Sequence, residues 1–235
     1  MKESDMYQPI KLYLERLGYT VYPEIELSSG GPRADIVAIQ NEQLLIVEMK
    51  TSFGLAVMDQ AYHWAAGGYA HQTYIAIPRR SHWEVPIIAQ RALCSSGIGV
   101  LQVELQDNPY RSVEAYRMFE ENRVRTHMNA EILGEAQQAQ HIINILTPHH
   151  LNGPDAGGKA GGHISAHRLT MIRAQEYMEA AGDWVTPKQI VENIETHYFA
   201  QDKAASLKQA LLQWGTDFCE YQVIGRRGMF RSKQL

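Results

Sequence analysis

Arg33-Ala34-Asp35-Ile36-Val37-Ala38-Ile39, followed after a short interval by Leu44-Leu45-Ile46-Val47-Glu48-Met49-Lys50, decides the fold. Both segments are rich in β-branched and aliphatic residues. A Gly/Ser/Pro loop precedes them, and a short turn around Asn41-Glu42 separates them, which is the pattern of a hairpin. Side chains alternate along a strand, so Glu48 and Lys50 share a face with Ile46. Asp35 opens the first strand. Pairing as a hairpin brings Asp35 close to Glu48 and Lys50 at one end of the sheet. A charged pair closing an almost continuous apolar strand conflicts with local patterning, so packing does not account for it. Two carboxylates at that point offer hard oxygen donors of the kind that hold Mg²⁺ or Mn²⁺.

Working outward, residues 7–17 read as a helix, with Ile10, Leu14 and Leu17 at helical spacing and Pro9 in the first turn. Residues 20–27 alternate as a strand. Residues 54–69 form a helix whose apolar stripe is Leu55, Met58, Tyr62, Ala65 and Tyr69. A strand at 73–78, a helix at 85–94 and a strand at 99–105 follow. The order α-β-β-β-α-β-α-β describes an α/β fold, a mixed sheet flanked by helices. Beyond Asp107, helices are expected over 111–126 and 130–146, and a Gly/His/Pro-rich linker over 148–162. Residues 165–180, a segment after Thr186-Pro187, and 204–214 read as three helices. Two short strands then flank Gly225-Arg226-Arg227-Gly228. Three helices and a basic hairpin describe a small winged helix-turn-helix. The expected organisation is therefore 1–107, a connector at 108–162, and 163–235.

The 235 residues are 45% hydrophobic and 20% charged, with a formal net charge of -4. That balance supports a sizeable core and excludes a wholly disordered chain. No apolar run reaches the length of a membrane span, and the first residues carry Glu3 and Asp5 where a signal peptide would carry bases. With two cysteines, the chain is neither a disulfide framework nor a cysteine-cluster zinc site. A cytoplasmic protein is expected. Charge is uneven: residues 1–107 hold eight Lys/Arg against twelve Asp/Glu, whereas Arg226, Arg227, Arg231 and Lys233 cluster at the end. A basic tip of this kind suits contact with a polyanion, or simply a solvated tail.

The Asp35, Glu48 and Lys50 spacing resembles the PD-(D/E)XK phosphodiesterase superfamily, the restriction-endonuclease-like fold. The resemblance implies that Asp35 and Glu48 hold Mg²⁺ (or Mn²⁺) and that Lys50 orients or activates the attacking water. Ala34 stands where the family pattern has proline. The family also carries an acid on its first helix, for which Glu3 and Glu15 compete. Glu3 extends the Ile10/Leu14/Leu17 line backward, whereas Glu15 lies about 100° around the helix from Leu14. Exonuclease-type members add a glutamine on the helix after the E-x-K strand, with an aromatic residue four positions later; Gln60 and Trp64 match. Gln60 then lies near the metal or the phosphate, or on the surface beside a half-buried Trp64. The layout is also similar to an uncharacterised bacterial and phage family with a nuclease-like first half and a winged-helix second half. Glu3-Ser4-Asp5-Met6-Tyr7, Ala34-Asp35-Ile36-Val37, Val47-Glu48-Met49-Lys50 and Ser165-Ala166-His167-Arg168 carry that likeness.

The expected function is a Mg²⁺-dependent nuclease acting on DNA, with Glu3, Asp35, Glu48, Lys50 and Gln60 as site residues. Lys203, Lys208, Arg226, Arg227 and Arg231 would contact nucleic acid, chiefly its phosphates, with weak sequence preference. The alternative is a module without catalysis that keeps the fold and binds nucleic acid or protein. The C-terminal part also suits a homodimer contact.

Overall fold

The computed structural model describes residues 2–26, 31–106, 112–151, 156–157, 164–199 and 201–233. The Ser28-Ser29-Gly30 part of the expected loop and most of the Gly-rich linker lie outside these residues. The chain forms two compact units, one containing the described residues up to Gly157, the other those from Ile164 onward.

The first unit is built on one six-stranded mixed sheet in sequential order. Its strands are β1 (Thr20–Glu26), β2 (Arg33–Gln40), β3 (Gln43–Met49), β4 (Gln72–Pro78), β5 (Ile98–Val103) and β6 (Val124–Met128). The first three form an antiparallel meander, β3, β4 and β5 are parallel, and β6 returns antiparallel. The β2–β3 hairpin closes on Asn41 and Glu42, both at positive φ, between the paired Gln40 and Gln43. Two successive positive-φ residues match the right-handed twist of the flanking strands. Parallel pairing needs crossovers, supplied by α2 (Leu55–Ala66) between β3 and β4 and α3 (Ile87–Ser95) between β4 and β5.

Helices cover both sheet faces. On one, α1 (Ser4–Arg16) lays Met6, Ile10 and Leu14, four residues apart, against Val21, Ile36, Ala38, Val47 and Met49. On the other, Val57, Ala61 and Ala65 of α2 meet Ile75, Ile77 and Val100, while Trp64 packs with Ile25, Val37 and Ile46. The buried stripe of α2 is thus Val57/Ala61/Trp64/Ala65, not the expected Leu55/Met58/Tyr62/Ala65. Leu55 is 79% exposed and Tyr62 56%. Two apolar stripes compete on that helix, and only the sheet's position selects between them. Helix α1 starts at Ser4, so Pro9 sits inside it rather than in its first turn.

The connector belongs to this unit. The expected helix at 111–126 is α4 (Val113–Glu121) followed by β6, which pairs with β5. Of 130–146, only α5 (Ala139–Ile145) is helical; its Ala139 and Ile142 complete the Trp64 cluster. A short α6 (Pro148–Leu151) follows, and Ala156 is buried in the α1 cluster.

The second unit holds α7 (Ala166–Ala181), α8 (Pro187–Asn193), α9 (Lys203–Trp214) and a hairpin of β7 (Cys219–Ile224) and β8 (Arg227–Ser232). Each helix start has a side-chain cap: Ser165, a Thr186/Gln189 capping box, and Asp202. Met171, Ala174, Met178, Ile190, Leu207, Leu211 and Phe230 form its core. Gly225 and Arg226 make the turn, with Gly225 at φ 64, which glycine adopts without strain.

Candidate functional site

Register brings three acids into one row. β1 and β2 pair Pro23 with Ile36 and Ile25 with Ala34, which sets Glu24 opposite Asp35. β2 and β3 pair Ile36 with Val47, and continuing that register by one sets Asp35 opposite Glu48. Glu24, Asp35 and Glu48 thus lie on three adjacent strands, near enough that the charge of Glu24 acts on Asp35 and that of Asp35 on Glu48. Lys50 follows β3 directly, where its backbone N–H still bonds to Ala76 of β4.

Each carboxylate of the row is held differently. The Met49 N–H donates to Asp35 Oδ2 at 2.8 Å. Trp64 Nε1 donates to Glu48 Oε1 at 2.6 Å. Glu48 is only 1% exposed, and its Oε2 is buried with no hydrogen-bond partner among the described residues. Glu24, 5% exposed, pairs with Arg33 Nε at 3.0 Å and accepts from the Gly157 N–H at 2.8 Å. Lys50 Nζ lies 3.2 Å from both oxygens of Glu3, which stands at the N-cap of α1. Of the two first-helix acids, Glu3 is the one that lies at this end of the sheet. Glu15 turns away, with a half-exposed side chain 3.9 Å from Lys11.

Two cavities of about 320 Å³ open here. One is lined by Glu3, Glu24, Glu26, Asp35 and Lys50, the other by Glu48, Asp59, His63 and Trp64. Arg33 and the exposed Gln60 line both. All five expected site residues therefore border this region. Trp64, half-buried in the reading that leaves Gln60 on the surface, is buried. Glu24 and Gly157 were not anticipated. A glutamate in an alternating strand gives no signal of its own, and only the register to Asp35 reveals it. Gly157 looked like linker, yet a Cβ there would come within 2.8 Å of the Glu3 and Ser4 backbone.

Burial pushes Asp35 up from 3.8 to about 6, against the Met49 hydrogen bond and the Lys50 charge, with Glu24 and Glu3 adding to the rise. Burial, and then the charge of Asp35, push Glu48 up from 4.5 to about 8, against the Trp64 hydrogen bond, the Lys50 charge and a hydrogen bond from the Asp35 backbone. Both acids hold protons more tightly folded than unfolded, so stability falls as pH rises between the unfolded and folded values. For Glu48 that window runs from 4.5 to about 8. Without metal, the melting temperature of the wild type is expected to fall relative to Glu48→Gln as pH goes from 5 to 8. A constant difference across that range would mean that Glu48 titrates normally.

Among the described residues, no group of three or more His, Cys, Asp or Glu side chains is preassembled to hold a metal. Two carboxylates suffice for Mg²⁺, which keeps several waters and takes its remaining ligands from substrate phosphate. The orphaned Glu48 Oε2 fits a cation, since an unpartnered buried carboxylate oxygen is costly otherwise.

The residues expected to contact nucleic acid lie in the second unit. Arg226 and Arg227 are exposed at and beside the hairpin turn, and Lys203 is exposed at the start of α9. Lys208 lies over the Tyr221 ring. Arg231 bonds to Glu220 at 3.0 Å and stacks on Trp184, so it braces the hairpin.

No protein-family model and no curated protein matches the chain. Among solved structures, it is similar to the SPO1766 protein of unknown function from Silicibacter pomeroyi, with TM-score 0.39 and 13% identity, over 61% of this chain and 83% of that one. A XisH family protein from Nostoc punctiforme aligns with TM-score 0.33 and 16% identity, over 43% of this chain and 91% of that one. A protein of unknown function, AF1548, aligns with TM-score 0.33 and 14% identity, over 89% of this chain and 99% of that one. At these scores the functional reading rests on the site alone.

Proposed function

We infer that the protein is a Mg²⁺- or Mn²⁺-dependent phosphodiesterase, a nuclease acting on DNA. The observation that carries this reading is the buried Glu48 carboxylate beside Asp35, with one oxygen fixed by Trp64 and the other without a partner among the described residues. The strand arrangement, an antiparallel meander leading into parallel strands, fits the restriction-endonuclease-like core of the PD-(D/E)XK superfamily. Three helices with a short hairpin fit a winged helix-turn-helix.

Asp35 and Glu48 would hold the metal, which supplies charge stabilisation at the scissile phosphate and a more acidic bound water. Met49 N–H and Trp64 Nε1 hold the two carboxylates in place. Lys50 is within reach of the same cavity as Asp35. It orients the attacking water or stabilises the charge that develops on phosphate. In the metal-free protein Glu3 holds the Lys50 ammonium at the cavity, and Gln60 at the rim of both cavities is placed to meet substrate.

The excess of acids in residues 1–107 favours the second reading, a non-catalytic module that binds nucleic acid or protein. Labelled linear, circular, branched and single-stranded substrates, incubated with Mg²⁺, Mn²⁺ or chelator, separate the two. Metal-dependent cleavage supports the nuclease; intact substrates under every condition would leave the binding module.

The hairpin tip makes its own prediction. Replacing Arg226 and Arg227 together with alanine is expected to weaken duplex binding equally for unrelated sequences, because phosphate contacts carry no base information. Each lost contact should reduce the salt-dependence slope by about 0.9. Unchanged affinity and slope would assign the second unit to protein docking or to a homodimer.

A further inference from the structure

Glu24 is an expensive residue where it stands. It adopts φ 51 within a β-strand, a left-handed conformation that a non-glycine residue rarely takes without constraint from its surroundings. Glu24 is itself buried, and its sequence neighbours Pro23 and Ile25 are buried as well. Neither feature helps the core: a buried ion pair is weak evidence for stability, an apolar side chain would avoid the cost of burying the charge, and only glycine would relieve the backbone strain. What the strain achieves is local. It aims the carboxylate at Arg33 Nε, 3.0 Å away, while the Gly157 N–H fixes the other oxygen at 2.8 Å. Arg33 in turn lines both cavities and keeps about a third of its side chain exposed.

The geometry points to Glu24 as a positioning residue that holds the Arg33 guanidinium in the wall shared by the two cavities, where Arg33 takes a backbone phosphate of a nucleic-acid strand. This rests on the nuclease reading for its ligand class. An arginine anchored through Nε presents a planar fork in a fixed direction, which suits phosphate oxygens better than a freely moving point charge.

The sign of the effect separates positioning from plain electrostatics. Glu24 is an acid beside a polyanion site, so charge alone says that Glu24→Gln should tighten binding. Positioning says that it should weaken it. The test measures anisotropy of fluorescein-labelled duplex and single-stranded oligonucleotides with Ca²⁺ in place of Mg²⁺, for wild type, Glu24→Gln, Arg33→Lys and the double variant. Melting temperatures are recorded alongside. Glu24→Gln and Arg33→Lys are each expected to lose about tenfold in affinity, the scale of one charge-assisted hydrogen bond. The double variant should lose no more than Arg33→Lys alone, since both substitutions break one device. Should Glu24→Gln fail to fold, the half-exposed Arg33→Lys decides the outcome. Tighter or unchanged binding by the folded variants overturns the assignment. A wild type that binds but does not cleave overturns the nuclease reading and leaves this test valid; a wild type that binds no oligonucleotide overturns both.

Discussion

Glu48→Gln is expected to reduce metal-dependent cleavage to background, a loss on the order of 10³-fold or more, as when several kcal/mol of transition-state charge stabilisation disappears. Glutamine keeps an oxygen for Trp64 Nε1, so the 2.6 Å hydrogen bond and the packing around it survive. What disappears is the anionic oxygen with no partner among the described residues. Because burial and Asp35 disfavour that charge, the metal-free variant should be at least as stable as the wild type at pH 8. Mg²⁺ should raise the melting temperature of the wild type and leave that of Glu48→Gln unchanged. Asp35→Asn should behave alike, with a smaller stability gain because the rise of Asp35 to about 6 is smaller. Cleavage by Glu48→Gln at the wild-type rate would remove Glu48 from the metal site.

Lys50→Ala is expected to cost about 10²-fold or more in rate, the scale of one preorganised charge-stabilising group, while folding stays nearly untouched. The Lys50–Glu3 pair is about a third exposed on each side, and pairs of that kind contribute about 0–1 kcal/mol. Metal affinity should hold or increase, because a positive charge beside Asp35 and Glu48 is gone and Glu3 is released toward the cavity. A large drop in melting temperature with proportionate loss of activity would make Lys50 a structural residue. A variant with full activity would take it out of the reaction.

The central hairpin was legible because its signals are local. Ile36-Val37 and Ile46-Val47 call for strands, Asn41-Glu42 calls for a tight turn, and alternation then sets Glu48 and Lys50 on one face. A capping residue made part of the second unit readable in the same way: Thr186-Pro187 marks a helix start whatever packs beside it. Local chemistry reads less well where two patterns overlap. Helix α2 carries two apolar stripes, and the sheet buried the one through Val57, Ala61 and Trp64. Val124–Met128 alternates too weakly to announce a strand, with only Val124 buried, and it became one because β5 offered an open edge.

Sequence by itself determined the α/β class, the hairpin, and the convergence of Asp35, Glu48 and Lys50, since period-two alternation and a short turn leave few other registers. Tertiary structure decided everything that depends on segments far apart in the chain. It chose Glu3 over Glu15 by bringing the start of α1 to Lys50. It turned Trp64 into the donor that orients Glu48. It set Glu24 opposite Asp35 and brought Gly157, 133 residues away in the chain, onto its carboxylate. A cut near Pro148 would remove that contact and the buried Ala156 with it. The physical reason is the same in each case: alternation and capping are written between neighbouring residues, whereas the partner of a buried carboxylate is whatever the packed chain delivers to it.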